Sequence, residues 1–427
     1  MNDLGREMHS LCQELFPICR SITGNGVRET LGKLKEHLPS LSIQEVPTGT
    51  KCFDWAVPEE WNINDAYIVA PDGERICEFQ KCNLHVVGYS EPVDTTMDLE
   101  SLQGHLHSLP DQPDAIPYVT SYYKRRWGFC IKHADRINLK PGQYRVVIDS
   151  TLTNGALTYG ELLLPGQFDR EVFLSTYVCH PSMANNELSG PVVTTFLAKW
   201  LQGQESRKYS YRIVFIPETI GSILYLSRNL DVMKDRIVAG FNVSCVGDDR
   251  AYSYLPSRAG NTLSDQVALH VFNYKHPDFV RYTYLDRGSD ERQYCSPGVD
   301  LPVSTMMRTK YGIYPEYHTS LDDLSLVTPT GLFGGYDSLR TAIACLEANE
   351  ILKPTVLCEP QLGKYGLYPT TSTKETAGQV RRILSFLAYC DGQLSLLDIA
   401  DQIDVPMWEL FEIVNRLKEA GLIQPVE

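Results

Sequence analysis

Residues 172–201 read VFLSTYVCHPSMANNELSGPVVTTFLAKWL. The first six residues, 172–177, form a short run of apolar, aromatic and β-branched side chains, which predicts a buried strand. Residues 190–201 are typical of a helix, and a polar loop joins the two. A strand that leads through a polar loop into a helix indicates one unit of an α/β sheet.

The same alternation of strand and helix continues as far as residue 351. Strands are predicted at residues 211–216 and 237–246, and helices at residues 222–230, 263–271 and 328–346. This order predicts an α/β fold with a mixed, mainly parallel sheet flanked by helices. Sites in such sheets form at the carboxyl ends of the strands.

The regions on either side of this alternation differ in character. Residues 4–38 are predicted as two helices, and the following hundred or so residues contain short β-like runs punctuated by turn signals. Near the C-terminus, helices are predicted at residues 379–389, 395–401 and 406–420. We therefore predict an α/β domain (residues 1–40 and 151–355), an inserted β-rich domain (residues 41–150), and a linker with a winged-helix-like domain (residues 356–427).

The composition excludes several classes of protein. The 427-residue chain has a formal net charge of -14, which disfavours nonspecific attraction to nucleic acid or anionic lipid. Neither a signal peptide nor an apolar run long enough to cross a membrane is visible. The twelve cysteines contain no C-x-x-C pair, and reduced thiols are the expected state. We predict a cytoplasmic protein that binds neither nucleic acid nor membrane, and homo-oligomer formation stays open.

Polar residues that could carry chemistry follow the predicted strands or open helices. Each of them also has a simpler structural explanation. The alternatives are a capped helix start, a carboxylate that interacts with a helix dipole, a turn, and a loop that caps a helix N-terminus. In combination, however, histidines and carboxylates at one edge of a sheet suit a zinc ion with an open position for water. The candidates are His180 with Asn186 and Glu187, then Glu218, Asp248 with Asp249, and His318.

Four stretches, CHPSMANNELSG, PETIGS, GSDERQYCSPG and EYHTSLDD, together resemble the zinc aminopeptidases of the M28 type. The chain is more similar still to a family of uncharacterised aminopeptidase-like proteins often associated with polysaccharide biosynthesis. In that family a protease-associated-like β-domain is inserted near the N-terminus, and a winged helix follows the peptidase fold. The resemblance covers essentially the whole chain.

The resemblance implies a role for each matching residue. His180 and His318 correspond to metal-binding histidines, and Asp248 corresponds to a strand-end aspartate ligand, with Asp249 as the alternative in register. Glu218 corresponds to the general base that takes a proton from water.

Two departures from the M28 pattern change the expected metal content. Asn186 stands where a bridging aspartate is expected, and Thr219 stands where a second, metal-binding glutamate is expected. Two divalent cations a few ångströms apart need carboxylates to offset their repulsion. We therefore predict one zinc ion, with Glu187 as a compensating ligand. Glu218 could itself turn to the metal, which would leave the base unassigned.

The predicted activity is hydrolysis of an amide bond in a small aminoacyl or peptide-like substrate by metal-activated water. Asp290 or Glu291 would hold a substrate ammonium group, and Arg292 or Arg308 would hold a carboxylate, sugar acid or phosphate. Asn186 belongs with these substrate-binding candidates. The alternative is a catalytically silent aminopeptidase-like protein that binds a small sugar or aminoacyl ligand.

Two further segments carry weaker signals. Residues 121–129 mix aromatic side chains with cations, which favours either the binding of sugars or nucleobases or a packed surface with long cationic side chains. The predicted recognition helix at residues 406–420 carries more acidic than basic residues, which argues against DNA binding.

Overall fold

The structure is a computed structural model, and it describes residues 2–367 and 374–426. The chain divides into two units, Met1–Asp265 with Phe279–Asp337, and Gln266–Asp278 with Ser338–Glu427. Part of the predicted linker, residues 368–373, lies outside the described residues. No helix among the described residues is both long and apolar enough to span a membrane.

The strands are numbered in chain order. They are β1 (Ser42–Pro47), β2 (Lys51–Cys52), β3 (Trp55–Ala56), β4 (Glu60–Val69), β5 (Arg75–Ile76), β6 (Val93–Asp98), β7 (Leu106–His107), β8 (Phe129–Cys130), β9 (Gln143–Thr153), β10 (Ala156–Leu164), β11 (Phe168–Tyr177), β12 (Tyr209–Ile216), β13 (Ile237–Asn242), β14 (Ser253–Leu255), β15 (Val280–Arg281), β16 (Val303–Met307), β17 (Leu352–Pro354) and β18 (Ile423–Pro425).

The α-helices are numbered in the same way. They are α1 (Asn2–Leu15), α2 (Asn25–His37), α3 (Leu99–Gln103), α4 (His133–Arg136), α5 (Ser189–Gln202), α6 (Ile220–Arg236), α7 (Leu263–Lys275), α8 (Glu291–Tyr294), α9 (Pro329–Ala348), α10 (Lys374–Tyr389), α11 (Leu396–Gln402) and α12 (Phe411–Glu419).

Within the described residues, eight strands form the main sheet in the order β1-β10-β12-β11-β13-β16-β14-β15. At its centre β12, β11, β13 and β16 are parallel neighbours. Strand β10 pairs antiparallel with β1 and β12, and β14 pairs antiparallel with β16. The predicted fold class, a mixed sheet flanked by helices, is confirmed. Because the central strands are parallel, the loops after β11, β12, β13 and β16 leave the sheet at the same edge.

The boundary predicted for the inserted domain needs correction at its start. Strand β1 falls within residues 41–150, yet it pairs with β10 in the main sheet from Ser42 opposite Glu161 to Pro47 opposite Ala156. The β-like pattern showed a strand correctly, but no local signal shows which sheet a strand joins. The inserted sheet has the order β5-β4-β9-β6, and Ile68, Tyr144 and Val146 lie in its core.

The strand predicted at residues 237–246 ends early, at Asn242. The N–H of Val243 still donates to the carbonyl oxygen of Ser175 in β11 (2.7 Å), but later N–H groups of this loop bind polar side chains instead of a neighbouring strand. The N–H of Val246 donates to Ser189 Oγ (2.9 Å), and the N–H of Gly247 donates to Asn185 Oδ1 (2.9 Å). Side-chain acceptors therefore replace the sheet ladder in this loop.

The second unit contains the three helices predicted near the C-terminus and the antiparallel pair of β17 and β18. The helix predicted at residues 406–420 is shorter than expected. A 3₁₀ turn at Met407–Glu409 precedes α12 (Phe411–Glu419). Pro406 fits the start of such a turn because proline donates no backbone hydrogen bond.

The first turn of α5 lies against the ends of β11 and β13. A Cβ atom at Gly190 would be 2.4 Å from the carbonyl oxygen of Val243 and 2.5 Å from Thr176 Oγ1. Because both neighbours are buried in the sheet, they cannot move aside easily. Glycine is thus required for the helix to begin at the edge of the sheet.

We expect Gly190→Ala to lower the free energy of unfolding by about 1–3 kcal/mol, because the added methyl group overpacks the helix against the sheet. Urea unfolding measures the change. Gly32→Ala in α2 is the matched control, since nothing lies within 4 Å of its added Cβ and alanine favours helix. An unchanged stability in Gly190→Ala would contradict the close packing described here.

Candidate functional site

His180 lies in the loop after β11 and is buried. Its Nδ1 atom is 2.9 Å from Glu187 Oε2, and its backbone N–H donates to the same oxygen at 3.0 Å. Its other ring nitrogen, Nε2, is 3.6 Å from Glu218 Oε2. Glu187 therefore orients the ring so that Nε2 faces Glu218, in the way that carboxylates orient metal-binding histidines.

Glu187 is itself held by a buried cation. Arg20, in the middle of the loop between α1 and α2, places Nε 3.2 Å from Glu187 Oε1, and both side chains are fully buried. The same Nε atom donates to the carbonyl oxygen of His180 at 2.9 Å. Arg20 thus neutralises the carboxylate of Glu187, which the sequence predicts to bind the metal. That carboxylate contacts Nδ1 of His180, the ring nitrogen that does not face Glu218.

The thiol of Cys179 completes a second group of potential ligands. Cys179 Sγ, His180 Nδ1 and a Glu187 oxygen lie within 4.8 Å of one another. Burial raises the pKa of Cys179 to about 11, so it stays a neutral thiol. A cation placed among these atoms would also meet the guanidinium of Arg20. Charge therefore disfavours metal binding on this side of His180.

The protonation of His180 depends on the same neighbours. Burial is the largest influence and lowers its pKa, while the contacts with Cys179 and with the Glu187 carboxylate raise it, and the net direction is upward. The Glu187 carboxylate, 2.9 Å from Nδ1, thus favours the charged imidazole in the absence of metal. A metal bound at Nε2 would have to displace a proton.

His318 lies close to His180 with an unused nitrogen. The centroids of the two rings are 5.6 Å apart, and the His318 ring stacks on Tyr317 at 3.9 Å. Its Nε2 atom is buried and has no hydrogen-bond partner. Burial, followed by the charge of His180, lowers the pKa of His318 to about 3. The side chain is therefore a neutral imidazole, the form that binds metals.

Glu218 follows β12 and keeps 21% of its side chain exposed. Burial raises its pKa, while His180, Ser289 and Arg292 oppose the rise. Arg292 Nη2 also donates to Thr219 Oγ1 at 2.7 Å. A fixed guanidinium thus lies beside the position where the M28 pattern has a second metal-binding glutamate. That charge disfavours a second metal ion.

The carboxylate of Asp248 is already saturated by protein donors. Oδ1 accepts hydrogen bonds from the backbone N–H of Arg250 (2.9 Å) and from Thr309 Oγ1 (2.6 Å). Oδ2 accepts from Asn185 Nδ2 (3.1 Å) and from the backbone N–H of Thr309 (2.9 Å). In this structure Asp248 ties together the loops after β13 and β16, and its oxygens are occupied. Asp249, the alternative in register, accepts a hydrogen bond from Thr328 Oγ1.

The four residues predicted to bind substrate are all buried. Asp290 Oδ1 accepts from the N–H of Thr219 (2.7 Å), and burial with the nearby charge of Glu218 raises the pKa of Asp290 to about 7. The other three are likewise held by internal contacts. Glu291 accepts from Asn242 and Tyr311, Arg308 stacks on Tyr252 at 3.8 Å, and Asn186 donates to Tyr177.

Asp322 is the residue whose role the sequence did not single out. Its carboxylate accepts the backbone N–H groups of Ala184, Asn185 and Asn186 at 3.2, 2.6 and 3.0 Å. Burial raises its pKa to about 6 despite these bonds. The N-cap explanation expected a helix to start within the segment around His318, but the next helix, α9, begins only at Pro329. Asp322 instead accepts the N–H groups at the start of a helical segment far away in sequence.

A family model described as a domain of unknown function, DUF4910, matches residues 9–349. The chain belongs to this family. A second family model, a winged helix-turn-helix, matches residues 350–425 and confirms the predicted class of the C-terminal domain. The DUF4910 assignment covers both the main sheet and the inserted segment.

Relatives of this DUF4910 protein support the predicted fold. A protein of Clostridium acetobutylicum, described as a candidate polysaccharide biosynthesis protein with an aminopeptidase-like domain, is 45% identical over 93% of this chain and 92% of its own length. The crystal structure of a candidate peptidase from Clostridium acetobutylicum is 42% identical, with a TM-score of 0.93, and the match covers 100% of this chain and 97% of that chain. The predicted resemblance to aminopeptidase-like proteins is confirmed.

A more distant structure shows the fold alone. BSAP, a zinc aminopeptidase from Bacillus subtilis, is 12% identical with a TM-score of 0.58, and the match covers 80% of this chain and 94% of that chain. The DUF4910 protein therefore has an aminopeptidase-like fold, while its chemistry depends on its own side chains.

We expect Glu187→Gln to lower the free energy of unfolding by about 3–5 kcal/mol, because it leaves the buried charge of Arg20 without a counter-charge. Denaturant unfolding measures the loss. The matched control is Glu45→Gln, which removes a largely exposed partner of Arg28 and should change stability by less than about 1 kcal/mol. Equal effects of the two substitutions would show that the buried pair has no special importance.

Proposed function

We propose that this protein is a hydrolase with one zinc ion, acting on an amide bond of a small aminoacyl or peptide-like substrate. The observation that carries the proposal is the unused Nε2 atom of His318, buried and neutral beside His180. A buried nitrogen without a partner is costly unless something binds it. A metal ion is a suitable partner for two imidazoles.

The residue types present suit zinc. His180 Nε2, His318 Nε2 and a Glu218 oxygen are the two-histidine, one-glutamate set found in catalytic zinc sites. In this structure the three atoms do not all lie within 4.8 Å of one another, so the side chains would have to move together to hold the ion. We leave Glu187 and Asp248 out of the set because Arg20 and Thr309 already occupy them. The sequence assigned Glu218 to proton transfer, and we move it to the ion because it is the carboxylate that faces His180 Nε2.

When bound, zinc would polarise the scissile carbonyl group and lower the pKa of a water molecule to about 7. The surrounding side chains orient the two histidines and compensate the charge of Glu187. Glu187 holds the tautomer and direction of His180, and Arg20 compensates the charge of Glu187. Tyr118 packs edge-on against both histidine rings, at 5.4 and 5.1 Å, and limits their movement.

We expect protein purified without a metal-affinity tag to contain about one zinc per chain. His180→Ala, His318→Ala and Glu218→Ala should each lose most of it, because each removes a donor. Elemental analysis measures zinc, and circular dichroism checks that each variant folds. Chelation should abolish release of aminomethylcoumarin from aminoacyl substrates, and added zinc should restore it.

Cys179→Ser is the matched control for these variants. It should keep its zinc, since Cys179 belongs to the disfavoured group on the other side of His180. Loss of zinc in this variant would move the site to Cys179 and Glu187. Wild-type protein that takes up no zinc from solution would refute the hydrolase proposal. A catalytically silent binding protein would then be the better account, in keeping with the saturated carboxylate of Asp248.

We also propose a cytoplasmic location and no role in nucleic-acid binding. All twelve cysteines are unpaired, as expected in a reducing compartment. In the winged helix, Arg382 pairs with Glu409 at 3.1 Å and Lys418 pairs with Glu350. Acidic partners thus offset the cations that a phosphate backbone would need.

A gel-shift titration tests the second of these proposals. We expect no retardation of a 30-base-pair duplex at roughly 50 mM salt and micromolar protein, where basic winged helices bind even nonspecific DNA. Retardation that weakens steeply with added salt would overturn the proposal.

A further inference from the structure

A cavity of about 210 Å³ opens beside His180 and Glu218. The side chains of Ile22, Trp55, Tyr122, Tyr123 and Ile220 form most of its wall. Tyr122 and Tyr123 belong to the segment 121–129, which the sequence analysis marked as either a binding segment or a packed surface, whereas Ile22, Trp55 and Ile220 were not predicted to bind a ligand. The cavity borders two of the residues proposed to hold zinc, so a substrate bound at the ion would extend into it.

Two aromatic residues on this wall are unusually exposed. Trp55, on the β2–β3 hairpin, is 40% exposed, and Tyr123 is 52% exposed. Their rings meet edge to face with centroids 5.7 Å apart. Tyr123 also donates a hydrogen bond from its hydroxyl group to the carbonyl oxygen of Ala56 at 3.2 Å. The pair is thus held in place in the absence of ligand, and exposed apolar surface of this kind marks binding sites.

Tyr123 adopts a backbone conformation that supports the same conclusion. Its φ angle is +61°, in the left-handed region that bulky residues rarely occupy. Such a conformation is costly and persists where the surrounding structure requires it. Here it coincides with an aromatic ring placed against Trp55 at the cavity.

Away from His180 and Glu218, the hydroxyl groups of Tyr122, Tyr123 and Thr219 on the wall are already hydrogen-bonded within the protein. The hydroxyl groups of Tyr118 and Tyr122 are hydrogen-bonded at 3.0 Å, and Thr219 Oγ1 accepts from Arg292 at 2.7 Å. The surface left to a ligand is therefore mainly aromatic and aliphatic. A sugar ring would bury hydroxyl groups without partners there, which is unfavourable. An apolar side chain has no hydrogen-bonding groups that would be left without partners in the cavity.

We propose that this cavity binds an apolar or aromatic side chain of the substrate, next to the bond at His180 and Glu218. An apolar cavity of about 150 Å³ can hold a benzene molecule, so the space suits a phenyl or branched aliphatic group. The inference rests on the proposed function for the position of the scissile bond. The selectivity of the cavity itself can be tested without metal.

Calorimetric titration of the full chain, with zinc and after chelation, tests the proposal with four small amines. L-Phenylalaninol, L-leucinol and 2-aminoethanol share an ammonium and a hydroxyl group and differ only in the side chain, while D-glucosamine presents a sugar. We expect phenylalaninol and leucinol to bind at least about tenfold more tightly than aminoethanol, because each buries an apolar group. Glucosamine should gain no such advantage.

Trp55→Ala and Tyr123→Ala should reduce the preference for phenylalaninol to less than about threefold, with zinc content unchanged. Phe53→Ala is the matched control, since Phe53 lies on the same hairpin turn, is 60% exposed and does not line the cavity. An unchanged preference in both cavity variants would overturn the proposal. So would the absence of any phenylalaninol binding at about 10 mM, a concentration at which even a weak specific ligand binds.

The remaining outcomes are equally decisive. Tighter binding of glucosamine, lost in Trp55→Ala, would overturn the apolar assignment and make the cavity a sugar site. Protein that takes up no zinc from solution but still prefers phenylalaninol would refute the proposed hydrolase while supporting the cavity. Protein that binds zinc but shows no preference among the side chains would support the proposed hydrolase and refute the cavity proposal.

Discussion

The buried charge of Glu187 constrains the rest of the site. A carboxylate without exposure to water must be paired, and Arg20 supplies the counter-charge from a part of the chain more than 160 residues earlier. Because Glu187 also binds His180 through both the ring and the backbone, the ion pair fixes the direction of the imidazole. The open nitrogen of His180 faces Glu218 as a result.

The acidic residues around the site share this need for compensation. Asp248 receives four hydrogen bonds, and Asp322 receives three backbone N–H groups at the start of the helical segment that leads into α5. These carboxylates hold loops together, and so their oxygens are not available to metal ions. Arg292, beside Thr219, is a fixed cation whose charge disfavours a second metal ion there.

Several features were predictable from local patterns. The strand at residues 172–177 and the helix after it follow from apolar periodicity, and both are present as β11 and α5. The placement of β1 in the main sheet was missed, because alternation indicates a strand without naming its partner. Residues 121–129, which include Tyr123, were marked as a possible binding segment, but the contact of Tyr123 with Trp55 was missed, since the two residues lie almost 70 positions apart and their contact leaves no local signal.

The sequence by itself determined the fold class and the edge of the sheet at which His180 and Glu218 lie. Those properties depend on the order of strands and helices and on polar residues that directly follow a strand, whereas His318 was assigned as a ligand only through the family resemblance. Only the tertiary structure decided which of the candidate metal-binding atoms are already paired within the protein. Glu187 is paired with Arg20, Asp248 is saturated by Thr309 and Asn185, and His318 keeps a free nitrogen. Hydrogen bonds and ion pairs of this kind join residues distant in the chain, so no local pattern encodes them.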